Sequence, residues 1–164
     1  MVNAFPLDRE VDQAARWLVD RHVTSSVFEC SMVLATAVGP NDYSEDGDRS
    51  VTHPDNPLTR WAAESHANWR GLRAYTEVVH AEWRYRWDHG PDDVHGCWAP
   101  VRTLDDATVR DLDRPGDGRT DPPQLTGEWS ADDHVDAYRY YYANDKSHLF
   151  AWAKDRSKPP WIPE

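Results

Sequence analysis

From Val19 to Val38 the apolar residues Val19, Val23, Val27, Cys30, Leu34 and Val38 recur at spacings of three and four. That period fits one face of a helix and cannot be laid on a strand, whose faces alternate every two residues. The pattern returns between Leu58 and about Trp87, where Trp61, Ser65, Trp69, Leu72, Tyr75, Val79 and Trp83 share a stripe. A third block starts at Ser130 and extends to about Lys154, with Val135, Tyr138, Tyr142, Leu149 and Trp152 on one side. There is no internal repeat and no strand-period alternation. The expectation is an all-α fold, a compact bundle of three main helices with long irregular connections, forming one domain over residues 1–164.

Local signals place the ends of these blocks. Asp8 is the expected N-cap of the first, with Glu10 and Asp12 at the positive end of the helix dipole, and Gly39-Pro40 closes it. The block reads as one helix or two short ones. Residues 40–57 read as a loop, and Glu82 with Arg86 as a helical ion pair of modest value. Gly90-Pro91, Arg114-Pro115-Gly116 and Pro122-Pro123 make residues 88–130 a loop-rich insertion. Within it a short helix is expected from about Leu104 to Leu112, with Thr103 and Asp106 resembling a capping box. Nine Trp, seven Tyr and three Phe supply large buried areas despite the low apolar content.

Several classes are read out by what is missing. No apolar run reaches about 18 residues, and the first residues lack the basic-then-apolar order of a signal peptide. Cys30 and Cys97 are the two cysteines, and Cys30 falls inside a helical stripe, as a buried thiol does. A cytoplasmic protein is expected, in the host cytoplasm if the source is viral. The net charge of −11 opposes phosphate binding, yet it is uneven: residues 88–136 hold thirteen acids against four bases, a net −9. The second and third helical blocks are mildly basic.

His22 and Glu29 are seven apart, on one helix face about 10 Å from each other, with Ser25 and Ser26 between them. A carboxylate beside a hydrogen-bonding histidine suits acid–base or charge-stabilising work. Arg139 and Lys146 are also seven apart and share a face, with Tyr142 between them, and two cations and a phenol at that pitch suit a phosphate. A desolvated Lys146 would also serve as a Schiff-base nucleophile. His89, His95 and Cys97, near Asp92 and Asp93, match no standard zinc spacing, so no metal is expected. No phosphate-cradling glycine loop, dinucleotide fingerprint or nucleophile elbow occurs, and no cofactor is expected.

Taken together, Asp20-Arg21-His22-Val23 followed by Glu29 resembles the Asp-x-His-aliphatic segment of pyrimidine-dimer DNA glycosylases of the endonuclease V type. A wider set of phage and bacterial proteins grouped with them is similar over most of the chain outside residues 88–130. That similarity runs through Asn56-Pro57 with Trp61, Ser65 with Asn68-Trp69, and Glu82-Trp83-Arg84-Tyr85-Arg86-Trp87. It continues in Tyr138-Arg139-Tyr140-Tyr141-Tyr142, Lys146-Ser147-His148, Trp152 and Pro160-Trp161. The resemblance implies a helical enzyme that grips duplex DNA bearing a damaged or modified pyrimidine and cleaves its glycosidic bond. It implies Glu29 as the catalytic carboxylate supported by His22, with an imine formed on the N-terminal amine or Lys146. It further implies Arg21, Arg86, Arg139, Tyr142 and Lys146 on the phosphates and Asn68 on a base or sugar. Three positions differ: Val2 follows Met1 where the family exposes a Thr, Met32 stands where it has an Arg, and Asn56 replaces a His. Two other expectations remain open, a DNA-modification enzyme acting on a pyrimidine base or nucleotide, and a non-catalytic binding or inhibitor protein.

Overall fold

The computed structural model describes residues 4–38, 53–104 and 118–163. Among the described residues there are six α-helices and no strand, so the all-α expectation holds. They are α1 (Val11–Trp17), α2 (Asp20–Val38), α3 (Pro57–Glu64), α4 (His66–Arg86), α5 (Trp98–Val101) and α6 (His134–Asp145). Short 3-10 turns occupy Gly127–Trp129 and Ser147–Leu149. No described helix is long and apolar enough to cross a membrane.

The two long helices α2 and α4 form the central pair, with α1 and α3 packed beside them. One hydrophobic cluster runs from Ala4 to Tyr142 and draws on every helix. From α2 it takes Val23, Val27, Cys30 and Leu34, all fully buried, which is the stripe read from the spacing. Trp69 is buried at its centre, and its indole N–H donates to Leu34 O at 3.0 Å, so the α2–α4 contact carries a polar lock within the apolar seam.

The first block is two helices, one of the alternatives its spacing left open, and the second block is divided as well. Leu18, with extended backbone, separates α1 from α2, although neither Gly nor Pro marks the break. The freed carbonyls at the end of α1 are taken by Arg86 of α4, a tertiary contact that no local signal announces. Asp8 does not cap α1. Glu10 occupies the N-cap position, while Asp8 accepts from Glu10 N–H and from Arg139. Ser65 divides the second block in two, ending α3 and capping α4 by accepting from Asn68 N–H. Asn56 and Pro57 start α3 by the usual cap and N1 preferences.

The third block is shorter than expected. Asp133 caps α6 by accepting from the backbone N–H groups of Val135 and Asp136, so the helix starts four residues after Ser130. It ends at Asp145, and Leu149 and Trp152 pack from the tail that follows. Within residues 88–130, the described parts 88–104 and 118–130 contribute to the core. Trp98 and Val101 are buried within it, and Val94, Leu104 and Leu125 pack against it. The expected helix from Leu104 to Leu112 lies, but for its first residue, outside the described residues.

Candidate active site on helix α2

Helix α2 begins at a junction of three chain segments. Asp20 N–H donates to Ala151 O, and Asp20 Oδ1 accepts from Ala153 N–H, both at 2.9 Å. The tail is thereby tied to the first turn of α2. One residue pair further, Tyr142 of α6 reaches the same turn. Its buried hydroxyl accepts from Val19 N–H at 2.9 Å and lies 2.8 Å from His22 Nδ1. Val19 N–H occupies one lone pair of the phenol oxygen, and we assign the phenol's own proton to the bond with His22 Nδ1. The neutral imidazole then carries its own proton on Nε2.

His22 is neutral at physiological pH. Burial lowers its pKa to about 4, with help from the charges of Lys146, Arg21 and His148. Its ring stacks on Phe5, with centroids 4.4 Å apart and planes within 9°. The segment before α1 is thus pinned over the first turns of α2, and Tyr75 strengthens the pin by donating to Phe5 O. One turn beyond His22 lies Ser26, whose buried hydroxyl has no hydrogen-bond partner. Glu29, half-buried, follows on the same face. An imidazole N–H, an unsatisfied hydroxyl and a carboxylate therefore succeed one another along one face. Cys30 takes no part as a nucleophile, because burial pushes its thiol up to about 12.

The remaining predicted residues divide into those free to meet a ligand and those engaged within the fold. Arg21 is exposed, on a shallow surface it shares with Phe28, Trp87 and His95. Phe28 and Trp87 are among the large apolar side chains left exposed. Lys146 lies outside α6, as its C-cap, so it does not share a helical face with Arg139. It pairs with Asp145 at 2.8 Å and lies 4.9 Å from the Tyr141 ring centre. Burial works to lower its pKa, but the bonds to Asp145 and Tyr141 outweigh it and the net shift is upward. A Schiff-base lysine needs the opposite shift, so Lys146 is built to hold charge.

Four residues expected on DNA are engaged internally. The Arg86 side chain is fully buried and bonds to Glu82, Asp20 and the end of α1. Arg139 donates to Leu7 O and Asp8, and lies over the rings of Trp17 and Trp161. Asn68 is buried and holds Thr120 through both ends of its carboxamide. Tyr142 is the bridge already described. All four have the type and spacing of ligand-facing groups, and sequence does not give the tertiary partner that claims each one. Phe5, conversely, was missed, since nothing local marks it as the ring that covers His22.

The Tyr142 bridge makes a testable claim. Tyr142→Phe leaves Val19 N–H and His22 Nδ1 without their partner in a buried setting. A loss of about 1–3 kcal/mol is expected in urea unfolding. Nitrogen NMR of His22 should show the single Nε2–H tautomer of the parent giving way to a mixture. An unchanged tautomer would mean that another group sets it.

Among the described residues no three His, Cys, Asp or Glu side chains converge on a metal-sized site. His89 instead stacks on Trp83 with centroids 3.7 Å apart, and His95 N–H donates to His80 Nε2 at 3.2 Å. Compared with family models, curated proteins and solved structures, the chain gives no match in any of the three.

Proposed function

We propose that this protein cleaves the N-glycosidic bond of a damaged or modified pyrimidine nucleotide in DNA, with Glu29 as the catalytic carboxylate. The observation that carries the proposal is the face of α2, where neutral His22, the unsatisfied Ser26 hydroxyl and Glu29 follow in register. In the proposed reaction Glu29 accepts a proton from an attacking water as the water oxygen bonds to the sugar C1′. The C1′–N1 bond breaks, its electron pair leaves on the base, and the base takes a proton from solvent. His22 Nε2–H stabilises the departing base by donating a hydrogen bond, and the carboxylate offsets positive charge developing on the sugar. Exposed Arg21 would meet a phosphate, and Phe28 and Trp87 beside it offer rings to an unpaired base. Since Lys146 holds its proton, an imine step would fall to the N-terminal amine, which lies outside the described residues.

The test compares duplexes carrying a cyclobutane pyrimidine dimer, an abasic site or neither, scored for base release, strand cleavage and borohydride-trapped adduct. Lesion-dependent base release is expected, and Glu29→Gln should lower its rate at least about 100-fold with an unchanged unfolding midpoint. An adduct mapping to the N-terminal peptide would add the lyase step. Neither release nor adduct from folded protein, at low and high salt alike, would sink the proposal.

A second reading has one observation in its favour. With Arg86 and Arg139 both turned inward, fewer cations remain for a duplex backbone than the sequence implied. A smaller substrate, a pyrimidine base or nucleotide in a DNA-modification pathway, would ask less of the surface. Turnover of free pyrimidine nucleotides that still depends on Glu29, without action on duplexes, would select it.

A further inference from the structure

A second site lies between the segment before α1, helices α3 and α4, and residues 119–122. It is a cavity of about 240 Å³. Trp61, Leu72 and Tyr75 supply an aromatic and aliphatic wall, and Arg119 and His134 bring polar groups to the lining. Two of its four charged lining residues, Asp8 and Arg9, are matched by ion pairs. Asp8 pairs with Arg139, Arg9 with Asp133, and Asp121 lies 3.4 Å from His134 Nδ1. Arg119 differs: among the described residues it has no hydrogen-bond or ion-pair partner.

The position of Arg119 is nevertheless built. Its neighbour Thr120 is clipped to α3 and α4, its N–H donating to Asn68 Oδ1 at 2.9 Å and its Oγ1 accepting from Asn68 Nδ2 and Trp61 Nε1. The guanidinium itself lies over Gly71, where a Cβ would stand 2.8 Å from Arg119 Nε and 3.1 Å from Cζ. Glycine inside a helix such as α4 costs about 1 kcal/mol relative to alanine. The nearest atoms in the space it leaves all belong to Arg119. Helical spacing sets Gly71 between Asn68 and Tyr75 on one face of α4, so the guanidinium of the exposed Arg119 lies over the face that also carries Tyr75.

We propose that this cavity binds a small planar organic anion, its ring against Trp61 and Tyr75 and its carboxylate on the Arg119 fork. Size and chemistry together choose that class. The volume equals the share of about eight waters, which suits one ring bearing one anionic group and is small beside common cofactor pockets. A planar guanidinium without a partner pairs best with a bidentate carboxylate. This site is independent of the reaction proposed for α2.

Calorimetry and ligand-observed NMR on the full chain would test it with four probes. Orotate and benzoate combine a ring with a carboxylate, uracil has the ring alone, and acetate the anion alone. Orotate or benzoate is expected to saturate the site, with uracil and acetate at least about tenfold weaker. Arg119→Gln should weaken the ring carboxylates at least about tenfold, and Gly71→Ala should do the same by displacing the guanidinium. Glu29→Gln should bind them like the parent, which separates this site from α2. Failure of both ring carboxylates to saturate by about 10 mM, or parental affinity in folded Arg119→Gln, would overturn the proposal.

Discussion

Arg86→Ala is expected to destabilise the protein by about 3–5 kcal/mol, a larger loss than that of Tyr142→Phe. The side chain is fully buried and its guanidinium joins three parts of the chain, α4, the end of α1 and the start of α2. Nε donates to Glu82 Oε1 at 2.7 Å, Nη1 to Leu18 O and Asp20 Oδ1 at 2.8 and 2.9 Å, and Nη2 to Arg16 O at 3.0 Å. Removing it strands the carbonyls that end α1 in a setting closed to water. Glu82 keeps its two bonds to Arg156, so one partner of the buried carboxylate survives and the loss stops short of complete unfolding. Arg86→Lys should recover little, because one ammonium cannot meet acceptors spread around a planar fork. For a chain of this length the expected loss lowers the thermal midpoint on the order of 10 °C. The same variant separates the two roles open to this arginine. A phosphate ligand would lose DNA affinity and keep its stability, so a change under about 1 kcal/mol would remove Arg86 from the framework.

That arginine marks the limit of what the sequence made legible. The α2 stripe was readable because its information is local: residues three and four apart meet the same neighbour whatever that neighbour is. The face shared by His22, Ser26 and Glu29 was readable for the same reason, since all three lie on one unbroken helix. Helix ends set by tertiary partners were not. The break at Leu18 depends on Arg86, 68 positions away, and the end of α6 at Asp145 separates Lys146 from the face it was expected to share with Arg139. Glu82 and Arg86 have the spacing of a surface ion pair, yet burial and Arg156 make them a buried hub. Arginines are the residues whose role the sequence leaves most open. Their chemistry is the same whether the acceptor is a phosphate or a carbonyl, and the two are told apart only by what lies across the fold. Gly71 carried a signal of its own, an unfavoured residue inside a strong helix, but nothing in the chain tied it to Arg119, 48 positions on.

Acid should weaken this protein well above the range in which its carboxylates titrate. His22 and His80 are both buried, and burial is the leading cause that lowers each to a pKa of about 4 from the ordinary 6.5. Positive neighbours add to it, Lys146, Arg21 and His148 around His22, and Arg84, His95, Arg102 and His89 around His80. Between pH 4 and 6.5 the unfolded chain binds protons at these positions that the native state refuses. Stability therefore rises with pH through that window and falls as pH drops below 6.5. Each histidine contributes on the order of 1–3 kcal/mol, fully present above pH 6.5 and lost by about pH 4. Glu82 acts in the same direction but lower. Burial raises its pKa, the bonds to Arg156 and Arg86 lower it further, and the net shift below its ordinary value places its loss beneath the histidine window. Urea unfolding at half-unit steps from pH 4.5 to 7.5 should show proton uptake approaching two per molecule at the steepest point. His22→Gln with His80→Gln should flatten most of that slope, because a carboxamide retains hydrogen bonding and does not titrate. A parent whose stability is level from pH 5 to 7 would mean that these imidazoles accept protons in the folded state. The neutral, Nε2–H form of His22 would then no longer hold at the lower end of that range, and with it would go the donor assigned to the departing base.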